Sequence, residues 1–249
     1  MENKIILSVN KAMKLIEILL DARRPLMLRE LAERSGFPKS TVHGLLFTMT
    51  QHAVIRQYAD GRYGLGIRLY ECGTAVSESW DISTIAHPHL EKLAQVTGAG
   101  AFITYFDGTN VISFDRCAGS GGLQVIPEIG MRMSLHATAQ GKLFLSALSR
   151  SRVLSLLREE GMTAFTPHTI TDTENMMAEL DAIRVRGYAI EHGEYRRGLM
   201  GAAAPIHEHN GNLQYALGIV GLFRSVTSED FQSAISQMLA EAEKIEFRV

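Results

Sequence analysis

The sequence predicts an α+β protein with two domains: a small helical unit that ends in a β-hairpin, and a larger mixed unit behind it. Apolar residues recur at helical spacing through residues 9–49 and give way to two short β-rich runs around Asp60-Gly61. From Ile82 onward, helix-like and strand-like segments alternate. A chain of 249 residues has room for two modest domains, although one large domain would also fit this length.

The first helix is predicted to begin at Ser8, a candidate N-cap, and to end before Pro25, which disfavours helix at the residue preceding it. Its apolar residues recur at helical spacing, which predicts one buried face. These residues are Val9, Ala12, Met13, Ile16, Leu19 and Leu20.

A short second helix is predicted from Leu28 to the Ser35-Gly36 pair, where glycine is a natural terminator. Met27 precedes it, so this helix lacks a Ser or Thr cap. The third helix follows Phe37-Pro38 and has apolar residues at i, i+3, i+4 and i+7. These are Val42, Leu45, Leu46 and Met49. Two short helices joined by a glycine-containing turn are typical of a helix-turn-helix.

The opposite face of the third helix carries short polar residues that can approach bases or phosphates. They are Lys39, Ser40, Thr41, His43, Gly44 and Thr48. The hairpin after it would be the wing of a winged helix-turn-helix, and its Arg56 and Arg62 are candidates for phosphate or minor-groove contacts. Such three-helix units also serve as protein-interaction modules, so this pattern leaves both functions open.

The charge distribution favours binding of a polyanion by the N-terminal part of the chain. Residues 1–70 hold eleven Lys and Arg against six Asp and Glu, whereas the remainder holds 14 basic and 21 acidic residues. A basic first domain on an acidic body suits nucleic-acid binding. Chance fluctuation would also explain such a difference in charge.

The second domain is predicted to be a mixed α+β sheet domain. A hairpin signal at residues 107–110 joins two strands. Helices are predicted over residues 85–96, 136–148, 150–160 and 228–247, with one more from a cap at Thr171 to Gly187. The remaining strands are predicted over residues 188–191, 201–207 and 213–223.

The composition, with 46% hydrophobic and 21% charged residues, is that of an ordinary globular protein. No apolar run approaches the roughly 20 residues that span a bilayer, and no secretory signal is apparent. Cys72 and Cys117 form no CxxC pair, so we expect neither a disulfide framework nor structural zinc. A cytoplasmic protein without a membrane partner or cofactor is predicted.

The chain resembles the IclR family of bacterial transcriptional regulators over nearly its whole length and in the family's order of motifs. The resemblance is carried by the residues Ser8–Ala12, Leu31–His43 and Tyr63–Gly66, and by three later runs. The later runs are Leu135–Lys142, Arg186–Glu194 and Gly198-Leu199 with Ala203–Ile206. The sequence departs from the pattern at Gly44, where many members carry Arg. Glycine inside a helix costs about 1 kcal/mol relative to alanine.

The resemblance implies a homodimer or homotetramer that binds double-stranded operator DNA through a winged helix-turn-helix at residues 1–66. A linker helix at residues 67–80 would join it to a GAF-like effector-binding and oligomerisation domain at residues 81–249. Effectors of the family are small carboxylic acids or aromatic catabolites, and the regulated genes serve their metabolism. Family members include both repressors and activators.

The resemblance also implies an effector pocket. An apolar wall would be formed by Val125, Met133 and Leu199, and the polar part falls on Glu191, Gly201, Gly218 and Val220. Members that sense small keto acids tend to carry Asp, Cys, Ser and Ser at those four positions. Three polar side chains are thus missing here, which predicts a larger or less polar effector, such as an aromatic or sugar-derived acid.

The helix start at His136-Ala137-Thr138 offers a further candidate for binding an anionic effector, because the first amides of a helix have no partner within it. An ordinary capped helix on a core sheet would show the same residues.

The sequence permits three other interpretations. His207 and His209 lie at i and i+2 and could share a metal ion, but a hairpin end where both are solvated is the favoured interpretation. Glu191 and Glu194 could act as an acid–base pair in an enzyme of small acids, although no GxSxG or P-loop motif occurs. A sensor whose winged helix binds protein is the third alternative. We expect no catalytic residue and no metal site.

Overall fold

The computed structural model describes residues 5–78, 81–120, 126–208 and 211–246. The chain divides into two compact units, Met1–Trp80 and Asp81–Val249. Among the residues described, no helix is both long and apolar enough to cross a membrane.

The first unit contains four helices and one two-stranded sheet among its described residues. In chain order these are α1 (Leu7–Ala22), α2 (Leu28–Ser35), α3 (Lys39–Gln51), β1 (Ile55–Gln57), β2 (Tyr63–Leu65) and α4 (Ile67–Glu78). β1 and β2 pair antiparallel with Arg56 opposite Gly64. Tyr63 also exchanges two backbone hydrogen bonds with Leu26, of 2.9 and 2.8 Å, which ties the hairpin to the segment before α2.

The buried face of α1 differs from the predicted one. Leu15 and Leu19 are buried, whereas Val9, Met13 and Leu20 are exposed. The helix has apolar residues on two adjacent stripes, and only one of them packs on α2 and α3. The predicted N-cap at Ser8 is also wrong, because α1 begins at Leu7 and its cap position is Ile6, with no side-chain hydrogen bond.

The ends of the next helices follow from their local sequence. α1 ends where Arg23 adopts a left-handed conformation with φ of 49°, and α2 ends at Gly36 with φ of 72°. At the start of α2, the Met27 backbone N–H donates to the Glu30 carboxylate at 2.9 Å. Glu30 therefore supplies the half of a capping box in which the third helical residue accepts from the N-cap amide.

The second unit is a six-stranded antiparallel sheet with helices packed on it. Its elements are α5 (Asp81–Thr97), β3 (Gly100–Phe106), β4 (Val111–Cys117), β5 (Arg132–Met133), α6 (Ala139–Ser146), α7 (Arg150–Glu160), α8 (Thr173–Arg186), β6 (Ala189–His192), β7 (Met200–His207), β8 (Leu213–Gly221) and α9 (Glu229–Glu246). The strand order is β5-β4-β3-β8-β7-β6. α6 packs on β6, β7 and β8, and α5 and α9 pack on each other and on the sheet.

Three predicted boundaries in this unit need correction. α5 begins at Asp81 and continues through Pro88, earlier than the predicted start at residue 85. α6 begins at Ala139, since Thr138 is its N-cap and accepts a hydrogen bond from the Gly141 N–H. α8 is capped by Asp172, which accepts from the Asn175 N–H. Thr171, the predicted cap, therefore lies outside that helix.

Candidate functional site

The outward face of α3 presents most of the polar residues that the sequence singled out. Lys39, Ser40, His43, Gly44 and Thr48 are exposed. Thr41 is half-buried, so it is less available to a partner than predicted. The inward face packs Val42, Leu46 and Met49 into the core of the unit. This division leaves one side of α3 free of intramolecular packing.

Three details of this face were not apparent from the sequence. A Cβ added at Gly44 would meet no atom within 4 Å, so the helix surface is bare there. Beside it, Phe47 leaves 61% of its surface exposed. Thr48 donates its hydroxyl to the Gly44 carbonyl oxygen at 3.0 Å, which removes that donor from the face. Phe47 was missed because a large apolar residue in a helix is by default assigned to a core.

The two candidate arginines of the wing already have partners within the hairpin. Arg62 forms an ion pair with Asp60, with 2.5 Å between Nη2 and Oδ2. Hydrogen bonds from Arg62 lower the pKa of the Asp60 carboxyl. The Arg56 guanidinium lies 5.1 Å from the ring centroid of Tyr58. Both cations remain exposed.

In the second unit, three of the predicted effector residues lie side by side on neighbouring strands. Glu191 pairs with Gly201, and Gly201 pairs with Val220. Gly218 lies two residues from Val220 and therefore on the same face of the sheet. The structure thus brings together the four positions of the predicted polar wall.

Glu191 is the buried acid of this group, with 5% of its surface exposed. Its Oε1 accepts hydrogen bonds from the backbone N–H groups of Glu194 at 2.6 Å and Tyr195 at 3.0 Å. Burial outweighs these bonds and raises the pKa of Glu191 to about 7. Its Oε2 lies 3.6 Å from the position that a Cβ at Gly201 would take. One oxygen of the carboxyl is therefore held by two amides, and the other faces the backbone of Gly201, which has no side chain.

The space above Gly218 is filled by Gln140, which the sequence did not single out. A Cβ at residue 218 would overlap Gln140 Nε2 and lie 2.9 Å from Phe102 Cζ. Gln140 is 2% exposed, and its Nε2 has no hydrogen-bond partner in the part of the chain that the structure describes. Residue 218 on β8 is glycine here and has no polar side chain, but the amide of Gln140 on α6 occupies the space next to it. The site next to Gly218 therefore has a polar group that the sequence analysis did not expect.

A buried ion pair adjoins this wall. Lys142 Nζ lies 2.5 Å from Glu194 Oε1 and 3.6 Å from Glu179 Oε1, and Lys142 is almost completely buried. Burial raises the pKa of Glu194, against the effect of Lys142. Glu194 Oε2 is buried and, within the described residues, accepts no hydrogen bond. This pair fixes the loop whose amides hold Glu191.

The start of α6, where an anion site was predicted, is buried in the unit. His136, Ala137 and Thr138 are all buried. The His136 Nε2 atom lies 3.0 Å from the Thr163 carbonyl oxygen, and the Thr138 hydroxyl accepts from the Gly141 N–H at 3.1 Å. These bonds engage the side chains of His136 and Thr138 in support of the helix start.

Of the predicted apolar wall, Leu199 lies beside the strand that carries Glu191, since its carbonyl oxygen accepts from the Gly193 N–H at 2.8 Å. Met133 lies in β5 at the far edge of the sheet, with β4 and β3 between it and β8. It lines a separate cleft of about 440 Å³ that also contains Phe165 and Tyr195. Leu199 is buried next to β7, whereas Val125 lies outside the described residues.

Of the histidine pair, His207 Nδ1 lies 3.2 Å from Glu246 Oε1. His209 lies outside the described residues.

Comparisons with known proteins identify the family. Residues 74–247 match the model described as bacterial transcriptional regulator IclR C-terminal, and residues 8–58 match the IclR helix-turn-helix domain. The chain belongs to the IclR family. It is therefore a DNA-binding transcription regulator, which confirms the predicted family and the α+β class with an N-terminal helix-turn-helix.

Similarity to individual IclR-family regulators extends over almost the whole of this chain. The chain is 30% identical over 240 residues to the acetate operon repressor of Salmonella typhimurium strain LT2, covering 95% of this chain and 87% of that one. It is 30% identical over 235 residues to the transcriptional regulator XynR of Escherichia coli K12, covering 94% and 93%.

Solved structures share the fold. An IclR regulator from Alicyclobacillus acidocaldarius has a TM-score of 0.83 at 26% identity, covering 98% of this chain and 99% of that one. An IclR homolog from Microbacterium hydrocarbonoxydans, solved in complex with 4-hydroxybenzoate, has a TM-score of 0.80 at 20% identity, covering 96% and 98%.

Proposed function

We propose that this regulator binds operator DNA through α3 and the wing, senses a small organic acid in its second unit, and acts as a homodimer or homotetramer on catabolic genes. In this proposal residues 1–66 bind DNA, residues 67–80 form a linker helix, and residues 81–249 bind the effector and take part in oligomerisation. The outward face of α3 is the observation that carries the DNA-binding half.

Operator binding is assigned to the exposed residues of α3 and to the wing. Ser40 and His43 supply hydrogen-bonding groups of a length suited to base edges or phosphates. Arg56 and Arg62 are exposed cations on the hairpin next to that helix. The positive surplus of residues 1–70 adds a favourable, sequence-independent attraction to DNA.

A gel-shift assay with the DNA upstream of the protein's own gene tests this assignment. The wild type and a Val185→Ala control should shift the fragment at low salt, since Val185 is an exposed residue of α8. The double variant Ser40→Ala, His43→Ala should shift it at least tenfold more weakly, if each lost base contact costs about 1 kcal/mol. No shift by a folded wild type would favour the protein-binding alternative.

The effector site is assigned to the wall formed by Glu191, Gly201 and Gly218, together with Gln140. A buried donor without a partner is costly, and a ligand acceptor would satisfy it. The carboxylate of an organic acid can accept from Gln140 Nε2, while a hydroxyl of the same ligand donates to Glu191. Hydroxylated acids, aromatic or sugar-derived, have both groups. The solved homolog of this fold that holds 4-hydroxybenzoate is in keeping with this class.

A thermal-shift screen followed by calorimetry tests the class of effector. We expect 4-hydroxybenzoate or a hexuronate to raise the melting temperature, because a ligand that binds only the folded state stabilises it by mass action. The Gln140→Ala variant should lose most of that shift. Tight binding of glyoxylate or pyruvate, without preference for the bulkier acids, would contradict the proposal.

We propose that the site binds its ligand without converting it. One oxygen of each candidate acid or base is already engaged, since Glu191 Oε1 accepts two backbone amides and Glu194 Oε1 is paired with Lys142. Quantitative recovery of a bound acid after prolonged incubation is the expected result. Any turnover would revive the enzyme alternative.

Dimerisation is assigned to the outer stripe of α1. Its residues are spaced three and four apart, as in a two-helix interface. They are Ile6, Val9, Met13, Ile16 and Leu20. All are exposed except the half-buried Ile16. The occupant that we propose is the same stripe of a second copy, because identical heptad surfaces are self-complementary.

Light scattering tests this interface. The variant Val9→Asp, Met13→Asp should lower the oligomer by at least one association step, because it places charges inside an apolar seam. A Val185→Asp control, on an exposed face of α8, should leave the oligomer unchanged. An unaltered molar mass in the double variant would assign oligomerisation to another surface.

A further inference from the structure

We infer that Phe47 recognises the 5-methyl group of a thymine in the major groove of the operator. This inference rests on the proposed DNA-binding role of α3 and adds a residue and a base chemistry to it. The observation that carries it is a large aromatic side chain left exposed on a helix face whose other residues are polar or, at Gly44, have no side chain.

Phe47 does not belong to the core of its unit. Leu46 is fully buried and Leu45 is half-buried, and both belong to the cluster that joins the first three helices. Phe47 keeps 61% of its surface exposed, although an apolar ring gains stability by leaving water. The helix already has an inward face without it, so its packing does not explain the position.

The neighbours of Phe47 make its face of α3 suitable for close approach. Ser40, His43, Gly44 and Phe47 lie at spacings of three, four and seven residues, on one stripe of the helix. Gly44 presents no side chain, and a Cβ there would meet nothing. The backbone of α3 can therefore come nearer to a partner at this turn than a helix with a full set of side chains.

Hydrogen-bond donors are scarce around the ring. The hydroxyl of Thr48 is already donated to the Gly44 carbonyl oxygen. Beyond Ser40 and His43, the stripe has little with which to recognise a base by hydrogen bonds, and its largest side chain is apolar. In the major groove the thymine C5-methyl is the apolar group that distinguishes A·T from T·A and from G·C pairs.

The charge around the ring favours DNA over a protein as its occupant. Lys39 lies at the start of the same helix, and Arg56 and Arg62 lie on the adjoining hairpin, all exposed. An apolar ring among cations suits a groove whose rim is phosphate and whose floor carries methyl groups. An apolar protein surface would offer these cations no anion.

The size of the effect follows from the area that one methyl group buries. Burial of a methyl-sized group changes an equilibrium by about three- to fivefold. A dimer that contacts one thymine in each half-site would therefore bind roughly tenfold more weakly when both methyl groups are removed. This difference lies well within the range of a gel-shift or fluorescence-anisotropy titration.

The experiment compares DNA with and without thymine methyl groups. The fragment upstream of the protein's own gene is amplified with dTTP or with dUTP, so that every thymine outside the primers becomes uracil. Wild type, Phe47→Ala, Phe47→Leu and Val185→Ala are titrated against both fragments. We expect wild type and Val185→Ala to lose about tenfold in affinity on the uracil fragment. Phe47→Ala should bind both fragments alike, and Phe47→Leu should fall between.

Each remaining outcome decides the inference. Equal loss on uracil DNA by wild type and Phe47→Ala would overturn it, because the methyl groups would then act through another residue or through DNA shape. Equal binding of both fragments by wild type would overturn it as well. If wild type binds neither fragment, the proposed DNA-binding role of α3 fails, which is a distinct result. Circular dichroism of the variants checks that the exposed substitution leaves the unit folded.

Discussion

Replacing Glu241 with Gln removes the centre of a buried ionic cluster between α5 and α9. Glu241 Oε1 accepts from Lys92 Nζ and from Lys244 Nζ, each at 2.8 Å, and its Oε2 lies 2.6 Å from His89 Nδ1. Only 2% of Glu241 is exposed. The substitution keeps the shape of the side chain and removes its charge, so packing changes little while three partners lose their anion.

The structure gives the size of this loss. Burial opposes ionisation, but hydrogen bonds from Lys244, Lys92 and His89 outweigh it and lower the pKa of Glu241 to about 2 from 4.5. At about 1.36 kcal/mol for each pH unit, the ionised carboxylate stabilises the folded state by about 3 kcal/mol. Because the folded pKa is depressed, this stability is present above pH 4.5 and is lost as the pH falls toward 2.

Urea unfolding of the full chain at several pH values measures it. At pH 7 the Glu241→Gln variant should be less stable than wild type by about 3 kcal/mol. The difference should shrink steadily between pH 4.5 and the lowest pH at which wild type remains folded. A Glu243→Gln variant on the same helix is the control. A difference that stays constant from pH 7 to pH 3 would refute the argument, because the loss would then come from packing and not from charge.

Three further changes test other parts of the molecule. Gly44→Ala should raise the free energy of unfolding of the first unit by about 1 kcal/mol, since the added Cβ meets no atom and alanine favours helix; no gain in urea unfolding would contradict this. Asp60→Asn should release Arg62 from its ion pair, and thereby strengthen DNA binding and steepen its dependence on salt by about one unit; unchanged salt titrations would show that Arg62 contacts no phosphate. Burial raises the pKa of Glu191 to about 7, so this carboxyl ionises as the pH rises from 6 to 8. The binding of an anionic effector should weaken over that range, because the ionised carboxylate repels it. Calorimetry of Glu191→Gln should show no such change across that range.

The sequence predicted elements well where local signals agree. α7 was expected at residues 150–160 and spans Arg150–Glu160, with Ser149 as its cap and Gly161 after it. The buried face of α1 was mispredicted because that helix carries two apolar stripes, and periodicity alone does not tell which one meets the core. A stripe that binds a second chain gives the same pattern as one that binds its own.

The candidate sites were predictable only in part. Glu191, Gly201 and Gly218 were found through the family resemblance, and the strand register brings them together. Gln140 was missed because its significance depends on Gly218, which is distant in sequence and adjacent only across the packing of α6 on the sheet. Phe47 was missed although it falls outside the apolar stripe predicted for α3, because a large apolar residue is by default assigned to the core.

The contact between Gln140 and Gly218 restricts how this site can change its ligand during evolution. A serine at residue 218 alone would collide with the amide of Gln140, and loss of Gln140 alone would leave the site without either polar group. We expect each single step to weaken ligand binding, whereas the double replacement Gly218→Ser, Gln140→Ala would place a hydroxyl near the former position of the amide. We therefore expect the effects of substitutions at the two positions to depend on each other. Libraries that aim to turn this regulator into a biosensor for a new acid should randomise residues 140 and 218 together.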